Sequence, residues 1–457
     1  MKKLLLAVFS IATTFSLYAQ REVPQERMEQ IYEEVKTPYK YGLAVAPADN
    51  YHKIDCPTVF RQGDKWLMTY VVYNGKGGTD GRGYETWIAE SDNLLEWRTL
   101  GRVLSYRDGK WDCNQRGGFP ALPDMEWGGS YELQTYKGRH WMTYIGGEGT
   151  GYEAVKAPLY VGLAWTKGDI STAHEWESMD KPILSIHDKD AQWWEKLTQY
   201  KSTVYWDKDK TLGAPFVMYY NAGGRHPETD LKGERVGIAL SKDMKTWKRY
   251  SGNPVFAHEA DGTITGDAHI QKMGDVYVMF YFSAFEPSRK YKAFNTFAAS
   301  YDLVNWTDWK GADLIIPSKN YDELFAHKSY VVKHDGVVYH FYCAVNNAEQ
   351  RGIAIATSKS MGRSAVRFPV PESKNRRQIM TLNEGWKTWI TEATHLKGNF
   401  MMPAKTVNIP HNWDDYYGYR QLTHGNLHGT AMYVKDFTAD VKSGKRYFLR
   451  FEGVGTY

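Results

Sequence analysis

Cysteine is scarce: Cys56, Cys113 and Cys343 are the only three in 457 residues. They are far apart, odd in number and without metal-ligand spacing, so they close one disulfide at most and make neither a disulfide scaffold nor a thiolate zinc site. They read as buried small hydrophobes, Cys343 above all, because it lies inside the apolar run at 340–345. Long apolar runs are also missing. Beyond the extreme N-terminus no segment reaches ~18 uninterrupted apolar residues, which excludes a membrane-spanning helix. Charge of one sign is lacking too: 57 Lys and Arg against 53 Asp and Glu leave +4 over the whole length, with no basic run. That excludes a nucleic-acid partner. Charged residues at 24% are ordinary, so the chain is not disordered.

What the chain has is aromatics and glycine. Seventeen Trp, 33 Tyr and 18 Phe make 15% of the residues, and 41 Gly punctuate them. Many short strands joined by tight turns are expected, with flat rings that also suit stacking on sugars. By length alone, at ~150 residues per domain, about three domains are expected, although β-barrels and propellers exceed that size. The first nineteen residues stand apart. Lys2-Lys3 precede an apolar stretch at 4–15, and Ala19 offers a cleavage point. Residues 1–19 therefore read as a signal peptide and the mature protein as exported, periplasmic or extracellular.

A repeat organises residues 50–360. Ser91-Asp92-Asn93-Leu94-Leu95-Glu96-Trp97, Ser241-Lys242-Asp243-Met244-Lys245-Thr246-Trp247 and Ser300-Tyr301-Asp302-Leu303-Val304-Asn305-Trp306 share one pattern. A degenerate copy ends in Trp176, and a truncated one begins at Ser358. Before each copy comes a turn glycine and an aromatic strand, starting at Gly63, Gly138, Gly213, Gly274 and Gly336. Five copies, each with room for four short strands, predict an all-β fold, a five-bladed β-propeller.

Innermost propeller strands line a central funnel, so polar residues at the blade starts converge there. Blade one offers Asp55. Blade two offers Asp124, Glu126 or Glu132, and blade three Glu195 or Lys201. Blade four offers Asp267 and His269, and blade five His327 and Lys328. Glu148, among glycines at 146–149, and the pair Trp193-Trp194 are further candidates, the latter as a stacking platform. Acids, histidines and lysines among aromatics suit a carbohydrate site.

The repeats, Asp55-Cys56-Pro57 and Ala326-His327-Lys328-Ser329 resemble the five-bladed propellers of glycoside hydrolase family 43 and its relatives. The resemblance implies Asp55 as general base and His327 near the axis, beside a structural calcium ion; no other cofactor is implied. The family's general acid, a Glu opening blade three, is replaced by Lys201. Glu195 or Glu148 is left to take that role. Glycoside cleavage needs two carboxyl groups, one protonating the leaving oxygen and one activating water or attacking. After 370 the motifs Leu382–Trp386, 407–413, 429–437 and 446–454 resemble the opening of the sugar-binding jelly roll of glycoside hydrolase family 2, the β-galactosidase and β-glucuronidase family.

The expected organisation is a signal peptide at 1–19, an N-terminal segment at 20–45, the propeller at 46–366, a linker at 367–377 and an incomplete β-sandwich at 378–457 whose strand edges lack partners. The implied activity is removal of a terminal sugar, of arabinofuranosidase, xylosidase or galactosidase type, from a complex polysaccharide. The alternatives are a non-catalytic sugar-binding propeller and a phosphorylase in which Lys201 and Lys328 hold phosphate.

Overall fold

The computed structural model describes residues 22–75, 81–154, 157–258, 262–370, 379–393, 404–411, 429–441 and 446–453. The expected signal peptide and most of the expected linker lie outside these residues. The chain divides into two compact units, Met1–Glu372 and Ser373–Tyr457.

The first unit is a five-bladed β-propeller preceded by helix α1 (Gln25–Val35) and strand β1 (Tyr39–Val45). Blade one is β2 (His52–Gln62), β3 (Lys65–Asn74), β4 (Gly83–Ser91) and β5 (Arg98–Leu104). Blade two is β6 (Gln115–Pro120), β7 (His140–Gly147), β8 (Tyr160–Thr166) and β9 (Glu177–Ser178). Blade three is β10 (Thr198–Trp206), β11 (Phe216–Arg225), β12 (Lys232–Ser241) and β13 (Trp247–Arg249). Blade four is β14 (Ile264–Met273), β15 (Val276–Ala284), β16 (Ala293–Ser300) and β17 (Thr307–Asp308). Blade five is β18 (Phe325–His334), β19 (Val337–Val345) and β20 (Arg351–Thr357), completed by β1, which pairs antiparallel with β20.

The repeat motif is the turn between third and fourth strands. In each full copy a side-chain oxygen of Asn93, Asp243 or Asp302 accepts two backbone N–H groups of the turn. The next residue, Leu94, Met244 or Leu303, takes a left-handed conformation and is buried. The Trp97 and Trp247 indoles donate to its carbonyl at 3.0 and 2.7 Å. Short Asx side chains satisfy turn N–H groups that the ladder cannot reach.

The truncated copy at Ser358 has a structural counterpart. Blade five takes its fourth strand from β1, so strand pairing does not begin at residue 46 but at Tyr39. Without β1, β20 would present an open edge. Lys40 of β1 also pairs with the fully buried Asp322, which accepts the Tyr342 hydroxyl at 2.8 Å.

A single blade cannot bury both faces of its sheet, and the core accordingly consists of layers between blades. One layer joins blades five and one through Val59, Tyr70, Phe341 and Ile355. Another joins blades four and five and takes in Met28, Ile31 and Val35 of α1. Most repeat aromatics are spent in these layers.

Residues 121–136, after β6, run across the far ends of the other four innermost strands. Arg61 N–H donates to Tyr131 O, Leu122 N–H to Val204 O, and Lys272 N–H to Met125 O at 2.7–2.9 Å. The Tyr131 hydroxyl accepts Lys333 N–H at 2.9 Å. This segment makes one end of the funnel different from the other.

The second unit contains an antiparallel sheet in the order β22 (Lys405–Val407), β21 (Trp386–Ala393), β23 (Gly429–Val434). Phe448, Leu449 and Phe451 are exposed. Among the described residues no helix is long and apolar enough to cross a membrane.

Candidate active site

Four of the five innermost strands slip register near their starts. The breaks fall between Asp55 and Thr58, Gln199 and Ser202, Gly266 and His269, and His327 and Tyr330. A β-bulge sets two residues against one and re-aims a side chain. Cys56, Asp267 and Lys328 occupy these bulges with φ of 50°, 57° and 59°. Lys201, Asp267, His327 and Lys328 thereby line one pocket of about 150 Å³, at the end opposite residues 121–136.

Asp55 is fully buried beside this pocket rather than on its surface. Its Oδ1 accepts the Cys56 N–H at 2.9 Å. Its Oδ2 accepts the Tyr152 hydroxyl, Lys328 Nζ at 2.8 Å and Arg351 at 3.5 Å. Burial pushes the carboxyl pKa up, but Lys328 and Arg351 outweigh it and hold it well below the usual range. Lys328 is shifted the opposite way: burial lowers it and Asp55 raises it further, so it stays charged.

Two carboxyl groups that the strand-start rule does not find face the pocket, Glu153 and Glu234. Glu153 lies in the turn after β7, at φ 56°, with an oxygen 3.2 Å from Lys328 Nζ. Glu234 opens β12, the third strand of its blade. It keeps some surface open to the pocket while protein packs densely around it. Asn221 Nδ2 donates to it at 3.1 Å, and Tyr200 hydrogen-bonds to it. Burial, reinforced by the Glu153 charge, pushes its pKa up to about 8, against the pull of Lys328. Asp267 is also shifted upward by burial, with Lys201 opposing at 3.6 Å; its Oδ2 has no hydrogen-bond partner. The sequence signal for these acids is faint. Gly233-Glu234 and Gly83-Tyr84-Glu85 both place a Glu just after a third-strand glycine, and Glu153 follows the glycine-rich 146–151.

The remaining sequence candidates lie elsewhere. Glu195 is fully buried against Arg249, at 2.8 Å, and caps its own 3-10 turn, so it ties the segment at 185–195 to β13. Glu148 is exposed outside the pocket, and its carbonyl accepts Asn114 Nδ2 at 2.7 Å. Asp124 lies in the segment across the far end and holds Ser130 at 2.7–2.8 Å. Glu126 and Glu132 share that segment, bridged to Lys272 and Arg61. Trp194 is core, and Trp193 packs edge-on against His226 beneath Arg235. His269 stacks on Tyr330 with ring centroids 3.8 Å apart and meets Val331 O at 3.1 Å, beneath the pocket.

Asp55, His327 and Cys343 bring one ligand atom each within 4.8 Å of one another. The set does not fit calcium, which takes six to eight oxygens. Asp55 already faces two cations, and His327 Nδ1 is engaged with Cys343 O at 3.2 Å. The calcium that the family 43 resemblance implies therefore has no suitable donor set at His327.

His269, His327 and His340 are each pushed down to about 3 by burial. Their unfolded values lie near ~6.5, so below that pH the unfolded state binds three protons that the folded one refuses. Glu234 works in the opposite sense: folded, it keeps a proton up to about 8, whereas unfolded it loses it near 4.5. Asp267 opposes more weakly. The net uptake on unfolding between pH 6 and 5 is roughly two protons, worth about 3 kcal/mol over that unit. Denaturant midpoints of the propeller transition should fall accordingly from pH 6 to 5; equal or higher midpoints at pH 5 would contradict it.

No family model matches the chain, and no curated protein does. Solved structures do. One, BT0996 in its RGII complex, is 96% identical with a TM-score of 0.76, and the match covers 77% of the present sequence and 100% of that structure. Another, described as a glycoside hydrolase, is 95% identical with the same TM-score and coverage. A family 117 glycoside hydrolase, Zg3597 of the marine bacterium Zobellia galactanivorans, is 14% identical with a TM-score of 0.50, covering 76% and 96%, a likeness of fold alone. Identity this high over the whole of a solved glycoside hydrolase leaves one assignment: the protein belongs to the glycoside hydrolases and is a propeller glycosidase.

Proposed function

We propose that the propeller removes one terminal sugar from a complex polysaccharide of the kind named for its 96% identical relative, RGII. The observation that carries this is the pairing of Glu153 and Glu234 across one small pocket, with Glu234 held protonated. A space of about 150 Å³ takes a single sugar ring and no further residue on either side, which favours exo-cleavage. Glu234 is the general acid that protonates the leaving oxygen. Glu153 is the second carboxylate, paired with Lys328 at 3.2 Å, and activates water or attacks the anomeric carbon. Asp55 is assigned here as a buried anion that fixes Lys328 and Arg351, in place of the general base expected from the family 43 resemblance. Asp267, Lys201 and Asn221 bind ring hydroxyls; Asp267 Oδ2, 3.6 Å from Lys201 Nζ and without a hydrogen bond among the described residues, is the acceptor best placed for one.

Hydrolysis is favoured over phosphorolysis because the pocket cations are engaged. Lys328 is held by Asp55 and Glu153, Arg351 by Asp55 and the Tyr152 hydroxyl, and Lys201 by Asp267 and Pro57 O. The protein is read as exported from residues 1–19. The second unit is read as akin to the family 2 sugar-binding domain, its motifs falling on β21 at Trp386 and on β23 at 429–434.

The test is digestion of an RGII oligosaccharide in ¹⁸O-water, with and without inorganic phosphate. Loss of one terminal sugar, ¹⁸O in the product and no phosphate requirement are expected. Internal cleavage, or product released as a sugar phosphate, would overturn this reading.

A further inference from the structure

The pocket has two unlike walls. Tyr84 and Tyr152, from blades one and two, line one; Phe282, Phe285 and Phe325, from blades four and five, line the other. Within the apolar wall Phe285 is exceptional. It is a large aromatic yet 54% exposed, whereas Phe282 is only 4% exposed. Its backbone sits at φ 64°, a left-handed conformation that a bulky side chain rarely adopts and that surrounding contacts must hold. Those contacts exist: its N–H donates to Lys292 O at 2.7 Å, the next residue, Glu286, accepts Ser283 Oγ at 2.9 Å, and its ring meets Phe325 edge-on at 6.1 Å.

The floor is closed by buried charges and the volume takes one ring, so the next sugar of a bound oligosaccharide must lie at the mouth, where Phe285 stands. We propose that Phe285, braced by Phe325, is the stacking platform for the sugar on the leaving-group side of the scissile bond, and so selects oligosaccharides over small glycosides. Phe285 is thus a specificity-determining residue. The inference rests on the exo-glycosidase reading above.

The experiment compares wild type, Phe285→Ala, Phe285→Gly and Phe285→Tyr, using an RGII oligosaccharide as substrate and the released monosaccharide as inhibitor. Both truncations should raise KM for the oligosaccharide roughly tenfold, the equivalent of one stacked ring. Phe285→Tyr should restore it, and the monosaccharide Ki should stay at the wild-type value in all four. Phe285→Gly, relieved of its left-handed strain, should unfold at no lower temperature than wild type. An unchanged KM in the truncations, or KM and Ki rising together, overturns the platform while leaving the glycosidase reading intact. Wild type that leaves the oligosaccharide uncut overturns that reading and the platform with it.

Discussion

Glu234→Gln is expected to lower kcat on a natural glycoside by roughly a hundred- to ten-thousand-fold, the usual worth of a positioned general acid. Glutamine keeps the size of the side chain and its contact with Asn221, so stability and KM should change little. Two further readouts identify the role. An aryl glycoside whose phenolate departs without a proton should lose far less rate than the natural substrate. In wild type the rate should also fall above pH about 8, as Glu234 loses the proton it must deliver. That basic limb should vanish in the variant. The direction follows from the site: burial first and the Glu153 charge second raise this pKa, so Glu153→Gln, inactive in turnover, should lower the titration midpoint of the Glu234 carboxyl, read by infrared spectroscopy. If Glu234→Gln retained the basic limb, or if natural and aryl substrates lost rate equally, the acid would have to be another group.

Asp55→Ala should destabilise the propeller by about 3–5 kcal/mol, because it strands two buried cations. Lys328 Nζ lies 2.8 Å and Arg351 3.5 Å from the carboxylate, and their side chains are 9% and 15% exposed. Denaturant unfolding at pH 7 measures the loss. In Lys328→Met/Asp55→Ala, one uncompensated charge is gone, and part of the stability should return. The single variant should also lower the basic limb of activity, since Lys328, freed from Asp55, acts more strongly on Glu234. A general base at Asp55 makes a different forecast for activity: turnover abolished, with no basic limb left to measure. The two outcomes do not overlap.

Much of the fold was legible without coordinates because it repeats. A turn whose Asx oxygen holds two N–H groups is a local device, so Ser91–Trp97, Ser241–Trp247 and Ser300–Trp306 announce themselves in the sequence. Alternating aromatics after a glycine likewise give the second strands. Even the truncated last copy at Ser358 was visible, though its completion by β1, some 300 residues upstream, was not. That pairing is a closure of the ring, and no local pattern records it.

The site divides the same way. Asp267, His327, Lys328 and Lys201 were reachable from the sequence because a propeller aims the starts of its innermost strands at one point. Asp124, Glu148, Glu195, Trp193 and Trp194 satisfied the same residue-type argument and went elsewhere, into a far-end crossing, a surface loop, an Arg249 ion pair and an inter-blade core. Glu153 and Glu234 come from a turn after a second strand and from a third strand, and they meet only because the blades close around one axis. The scarcities of the sequence, in cysteine, apolar runs and net charge, together with its recurring turns, settled that it is an all-β repeat protein, and among the described residues no helix is long and apolar enough to cross a membrane. Which acids share a pocket, and which of them keeps its proton, depended on burial and on charges brought together across blades, and those quantities exist only once the ring has closed.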